Sequence, residues 1–219
     1  GQNQIATLGF NLKNKGLIED VKVTGSVTGN NDVAGIVNKI DEDGKIENVA
    51  FVGKINSVGN NSTVGGIAGS NYMGFVNRAY VDATITAQNA NASMLVPFVT
   101  YMLNSWKSGT KARVTNSVAK GVLDVKNTRN VGGIVAKTWP YGAVQDNVTY
   151  AKVIKGQEIF ASNDVNDEDG GPHIKDLFGV VGYSSAEDGT GKDTKSPKKL
   201  KHLTKEEADK RVEGYKITA

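Results

Sequence analysis

His173 and His202 are the only imidazoles in this 219-residue chain, and cysteine is absent. Thiolate metal sites, disulfides and Cys nucleophiles are therefore excluded. A zincin centre needs two His on one helix face with a Glu between them, His-Glu-x-x-His. The two His here are 29 residues apart and neither opens that pattern. His173 closes a Gly-Gly-Pro-His stretch just after the acidic run Asp164–Asp169. A nucleophile–His–Asp relay is conceivable there, but no Gly-x-Ser-x-Gly elbow accompanies it. The same run offers clustered carboxylates for Ca²⁺. Counting back from Gly170, however, the first ligand position of an EF-hand loop falls on Val165. Both features read as a solvated acidic loop. Asp82 and Lys120 are the remaining candidates, as outward charges on successive repeats. Carbohydrate cleavage would need such groups gathered in a cleft.

The elements that hold these residues are strands. Gly occurs 26 times, Val 26 and Asn 21, against only 4 Pro. That balance points to many strands and tight turns. The sequence Gly16-Leu17-Ile18-Glu19-Asp20-Val21 returns as Gly44-Lys45-Ile46-Glu47-Asn48-Val49 and as Gly74-Phe75-Val76-Asn77-Arg78-Ala79. Looser copies start near Val114 and Val144. The anchors Ile18, Ile46, Val76, Val114 and Val144 are spaced by 28, 30, 38 and 30 residues. Within a copy the apolar residues alternate: Val21, Val23, Gly25 and Val27 match Val49, Phe51, Gly53 and Ile55, then Ala79, Val81, Ala83 and Ile85. Period two predicts strands with this set facing inward. One column is small throughout: Gly25, Gly53, Ala83, Gly121 and Ala151. It predicts close backbone approach or a bend. A second element follows in each copy, beginning at Val33, Val64, Leu95, Val131 and Leu177. Turns are expected at 29–32 and 58–61, where Gly and Asn tolerate positive φ.

Repeats of two or three strands without helices bury their apolar faces by stacking. The expected fold is all-β: a right-handed parallel β-solenoid of about five coils over residues 16–188. The hand is carried over from crossover connections. Residues 1–15 are expected to form a cap or partial coil, with Ile5, Leu8 and Phe10 covering its apolar end. Residues 189–219 read as a basic linker and a short helix, Lys205–Val212, leading to a next domain. Thr204 and Glu207 form its capping box.

At Gly66-Ile67-Ala68-Gly69 and Gly179-Val180-Val181-Gly182 the sequence resembles the Gly-Leu-any-Gly motif of GLUG repeats. Gly35 and Gly133 open degenerate copies, and the third copy departs, with Pro97 where Gly should be. Over residues 16–183 the chain is similar to the β-helical region of the streptococcal immunoglobulin A1 protease family, cell-surface zinc metalloproteases. The resemblance implies a segment that is not itself an enzyme and holds no cofactor, with zinc in the parent's protease domain. It implies an extracellular chain, secreted or attached to a Gram-positive cell wall. It also implies a role in positioning or recognising the immunoglobulin A1 heavy chain. An adhesin or spacer module and a carbohydrate-active β-helix enzyme are the alternatives.

The expected binding face is a ladder of large side chains beyond each second element. Its members are Tyr72 and Met73, then Tyr101, Met102 and Trp106, then Trp139 and Tyr141. Tyr72, Leu103 and Trp139 each follow their column's Val or Leu by eight residues. Aromatic residues of this kind anchor protein interfaces, and the insertion Thr100–Lys111 adds length where solenoids place binding loops. The expected partner is the antibody heavy chain, the parent's protease domain, or both, with this segment a monomer. Nucleic acid is not expected: residues 190–219 hold 9 Lys/Arg and 5 Asp/Glu, leaving the remainder near neutral. No apolar run approaches the ~18 residues of a membrane span, and without a basic-then-apolar stretch no signal peptide is expected within this piece.

Overall fold

The computed structural model describes residues 4–99, 112–138, 143–155, 160–163, 181–182 and 201–219. Every strand pair among them is parallel. The long strands Leu17–Gly29, Lys45–Gly65, Phe75–Ser93 and Val118–Gly132 stack into one sheet. A second sheet stacks the short strands Gly9–Leu12, Val37–Ile40, Ala68–Asn71, Phe98–Val99, Val135–Thr138 and Phe160–Asn163. One long and one short strand make a coil, so the chain is a parallel β-solenoid of about four turns. We number the coils from their anchors Ile18, Ile46, Val76, Val114 and Val144; the fifth is partial.

The anchors stand in register from coil to coil. Inside each coil the alternating set packs inward. Phe51, Val81, Ala119, Ile55, Ile85 and Leu123 are all buried. Burying side chains of this size stabilises by roughly 1.5–3 kcal/mol each. That is the force that makes the coils stack.

The small column has a steric cause. A Cβ at Gly53 would lie 1.8 Å from the Gly25 carbonyl oxygen, and one at Gly121 would lie 2.1 Å from that of Ala83. Each coil's backbone presses on the next at this point. The Gly of the second element obeys the same logic in the other direction: a Cβ at Gly35 would lie 2.1 Å from the Gly66 oxygen.

The positive-φ corner is not where the Gly/Asn runs suggested. Residues 58–61 lie inside the continuous strand Lys45–Gly65, at a shift in register. One left-handed residue instead recurs in each coil, at Asp20, Asn48, Arg78, Asn116 and Asp146, with φ from 50° to 53°; Asn14, Lys15, Glu42, Asp43 and Lys216 are left-handed as well, outside this column. Each residue of the column sits two residues past its anchor and turns the strand. Asn and Asp suit this conformation because their short polar side chains offset its steric cost. Arg78 is the exception, and Glu47 holds its Nε at 2.5 Å.

The second element is also shifted in coil 3. The register pairs Val64 with Ala92, and Ile67 N–H donates to Leu95 O at 3.0 Å. Leu95 is thus level with Ile67, three residues on from where the repeat alignment set it. Met94 takes the place of Gly66.

At the first end, Gln4–Ala6 and Gly9–Leu12 pair with coil 1 as a partial coil. Ile5 packs on the core, but Leu8 and Phe10 are 48% and 56% exposed and do not cover the apolar end. At the other end the helix runs Lys205–Tyr215, three residues longer than expected, with the Thr204–Glu207 capping box in place. It packs against the flank of the long-strand sheet, where Leu203, Ala208 and Tyr215 are buried with Val118 and Val148.

Candidate functional site

Among the described residues, the candidates for bond chemistry read from sequence do not converge. His173 and the run Asp164–Asp169 lie outside the described residues. His202 lies in the short strand Lys201–His202, paired with Val181–Gly182. Among the described residues no group of three or more His, Cys, Asp or Glu gathers as a metal site. Asp82 and Lys120 are register partners. Lys120 Nζ, however, sits between two rings, 5.4 Å from Tyr80 and 5.7 Å from Tyr150. Its charge stabilises a cation–π stack rather than facing a second carboxylate. Glu19 and Glu47 also stand in register. Glu47 is spent on Arg78 and on Asn77, whose Nδ2 donates at 3.0 and 3.1 Å. Neither pair has the free carboxylates that glycoside cleavage uses.

Tyr72 and Met73, the described members of the expected ladder, lie at the corner where short strands turn back into long ones. Tyr72 is half-buried, and Lys39 Nζ lies 4.6 Å from its ring centre. Lys39 also pairs with Asp41 at 2.7 Å. Met73 accepts the Asp43 N–H through its carbonyl at 3.3 Å. Tyr101, Met102, Trp106, Trp139 and Tyr141 lie outside the described residues, as does Gly179. The residues that flank them do not. Asn71, Val99 and Thr138 stand in register. So do Phe75, Arg113 and Ala143. The described residues on either side of 100–111 and 139–142 therefore lie at the corner that carries Tyr72. Trp139 keeps its place in the count, directly after Thr138. Leu103 loses it, because coil 3 is offset by three residues.

Three residues of this corner escaped the sequence reading. Phe75 is an outward residue with Lys45 Nζ at 6.0 Å and the Arg113 guanidinium at 5.8 Å from its ring. The three follow one another in register on coils 2, 3 and 4. Their signal was an aromatic in the outward phase of the strand, where a polar residue is expected.

A second surface is formed by the C-terminal helix. The outward column Lys22, Ala50, Tyr80, Val118 and Val148 turns apolar from coil to coil. Its apolar part is covered by the helix and the residues that follow. Tyr150 donates its hydroxyl to Asp209 Oδ1 at 2.5 Å, and Arg211 pairs with Asp146. Hydrogen bonds from Lys205 and then Tyr150 hold the Asp209 carboxyl below its ordinary pKa. Burial raises that of Tyr80, with the Asp82 charge adding to it. A groove of about 390 Å³ remains between the helix and the sheet, lined by Tyr80, Val118, Val212, Ile217, Lys22 and Lys216. The outward Val118 and Val148 were the sequence signal for this cover.

No protein-family model matches the chain, and no solved structure matches it. Two curated proteins do. The chain is 50% identical over 222 residues to the zinc metalloprotease ZmpB of Streptococcus pneumoniae serotype 4, a match over 100% of this chain and 11% of that protein. It is 29% identical over 211 residues to the zinc metalloprotease ZmpC of the same organism, over 94% of this chain and 10% of that protein. The chain thus spans about a tenth of the length of these curated relatives, and it is homologous to a segment of each. No described helix is long and apolar enough to cross a membrane.

Proposed function

We propose that this chain is a non-catalytic solenoid segment of a secreted or cell-surface zinc metalloendopeptidase that cleaves immunoglobulin A1. Its task is to position or recognise the antibody heavy chain for a protease domain elsewhere in the parent. The observation that carries this reading is the match of the whole chain to 11% of the length of a zinc metalloprotease, at 50% identity. The chemistry of such a segment is binding and orientation, which raise the rate of a reaction carried out by other groups. The corner with Tyr72 and Met73 is the face assigned to the partner, together with Tyr101, Met102, Trp106, Trp139 and Tyr141. Zinc belongs to the parent's protease domain and not to these coils.

An amide NMR titration of the chain with intact human immunoglobulin A1, with immunoglobulin A2 as control, tests the reading. Selective broadening of Tyr72, Met73 and their neighbours by immunoglobulin A1 is the expected result. Equal silence toward both antibodies rejects direct recognition. The corner is then a docking face for the rest of the parent.

A further inference from the structure

The first end of the solenoid finishes on an open strand edge. Within the stack, one long strand covers its neighbour coil across the full width: Lys45–Gly65 pairs with both Leu17–Gly29 and Asp32–Ala34 of coil 1. On the opposite side of coil 1 the cover is partial. Gln4–Ala6 pairs with Asp32–Ala34, and Gly9–Leu12 with Val37–Ile40. Among the described residues no strand pairs with that side of Leu17–Gly29. The result is a ledge 13 residues long, about 40 Å at the usual rise per residue.

Backbone donors face this ledge. The N–H of Lys45 donates to Gly16 O on the coil before it. Those of Val148, Tyr150 and Ile154 donate in the same way to Ser117, Ala119 and Leu123 O. By register the equivalent groups of coil 1 are the N–H of Leu17, Lys22, Thr24 and Thr28. Natural sheet edges are commonly blunted by Pro or by an inward charge. Leu17–Gly29 has no Pro, and its inward set of Ile18, Val21, Val23, Gly25 and Val27 has no charge. Ile18 and Val21 are half-buried, whereas their register partners Ile46 and Val49 are buried. Leu8, Phe10 and Leu17 are exposed at the same end.

Gly25 narrows what fits there. Gly53 and Gly121 have positive φ, and a Cβ on either would run into the carbonyl oxygen of the coil before, at 1.8 and 2.1 Å. Gly25 shares their column and has φ 135°, yet a Cβ built on it meets nothing within 4 Å. Its backbone is shaped for the close approach of a neighbouring coil's carbonyl. Direction narrows the occupant further. Ile5 stands opposite Val33 on one side, as Val64 does on the other. Gln4–Ala6 therefore matches the last residues of a strand of the Lys45–Gly65 kind, and a strand laid parallel on the ledge ends level with Gln4. The chain matches only 11% of the length of its relative ZmpB, so a parent of that kind has polypeptide to supply such a strand.

We infer that the edge Leu17–Gly29 is the docking site for one further solenoid strand of the parent polypeptide. The strand lies parallel, with apolar residues over Ile18, Val21, Val23 and Val27 and a backbone carbonyl seated against Gly25. Main-chain hydrogen bonds to the edge supply the affinity, and the inward pockets supply the selectivity. This inference does not depend on the antibody reading, and failure of the antibody titration leaves it standing.

Hydrogen exchange tests it. In the chain alone the amides of Leu17, Lys22, Thr24 and Thr28 should exchange fast, and those of Lys45, Ala50, Val52 and Asn56 slowly. Joining a copy of Lys45–Ser62 directly ahead of Gln4 should slow the first set by at least about tenfold, read by NMR. Mass spectrometry of the intact parent should show the same slowing over residues 17–29. Gly25→Ala puts a Cβ into the docked backbone. It should leave the chain alone folded by circular dichroism and remove the added protection in both longer forms. Equal exchange in the chain and the parent overturns the inference. So does protection in the parent that Gly25→Ala leaves intact, because a cover other than a solenoid strand makes no use of Gly25. Protection in the chain alone that rises with its concentration assigns the edge to a second copy, and also overturns it.

Discussion

The backbone N–H of Thr218 donates to Asn48 Oδ1 at 2.8 Å, joining residues 170 positions apart. Ala219 N–H reaches the same oxygen at 3.3 Å. The Asn48 amide nitrogen donates to Thr218 Oγ1 at 2.7 Å and to Asp20 on the coil before. Asn48 is only 2% exposed. The C-terminal segment thus starts beside coil 5, where Arg211 meets Asp146, and ends beside coil 2. It is a strap laid back along the rod.

Asn48 serves two ends at once, the left-handed corner and the end of the strap. Asn48→Gly keeps the corner conformation and loses the strap bonds. Asn48→Ala loses both. We expect Asn48→Ala to cost about 2–3 kcal/mol and Asn48→Gly less, by addition of lost hydrogen bonds and backbone strain. Urea melts measure the difference. Hydrogen exchange at Thr218 and Ala219 should quicken in both variants.

Gly53 and Gly25 occupy the same column but meet different neighbours. A Cβ at Gly53 runs into the Gly25 carbonyl, whereas one at Gly25 has nothing within 4 Å. Both have φ in the region L-residues avoid, 153° and 135°. Gly25→Ala should therefore cost only the strain, about 1–3 kcal/mol. Gly53→Ala adds a backbone clash and should cost clearly more or prevent folding. Equal melting midpoints for the two variants would contradict this account of the column.

The strap should loosen in alkali. Burial holds the Tyr215 phenol well above its ordinary value, with the Asp146 charge adding and Arg211 opposing. The folded pKa is the higher one, so its stabilisation is complete below about pH 10. It falls above that pH, where the free phenol ionises and the buried one does not. Among the described residues the Tyr215 hydroxyl has no hydrogen-bond partner. Tyr215→Phe should therefore be neutral or stabilising by up to about 1 kcal/mol near pH 7, and should reduce the alkaline loss. Melting followed across this pH range checks both signs.

Ala208 is fully buried between the helix and the sheet. Ala208→Glu puts a carboxylate into that contact and should release the strap without unfolding the coils. The expected signature is a retained strand signal in circular dichroism, with faster amide exchange at Val118 and Val148. Unfolding of the whole chain would mean that the strap is part of the solenoid's cooperative unit.

Much of the coil stack was legible along the chain. A repeat with period-two alternation leaves few ways to bury Val, Ile and Phe without helices, and the anchor spacings set which residues become neighbours. The offset of coil 3 was not legible, because Ala92, Ser93 and Met94 replace the Val-Gly-Gly that marks the element elsewhere. The left-handed corner was hidden inside an apparent strand at Asp20 and Asn48, since a single αL residue does not interrupt the alternation enough to notice. At the candidate site, Tyr72 and Met73 stood out as large residues past a Gly-rich element. Phe75 did not, because its partners Lys45 and Arg113 are 30 and 38 residues away.

The local pattern by itself determined the strands, the start of the helix at Thr204 and the pairing of the anchor residues from coil to coil. These depend on side-chain alternation, capping chemistry and repeat length, all of which are written in neighbouring residues. Only the tertiary structure decided that the capped helix turns back along the flank and that Phe75 lies between two cations. Those outcomes depend on which outward residues end up side by side across coils. Contacts of that range are settled by the exact register of the stack and by burial of surface that no single repeat contains.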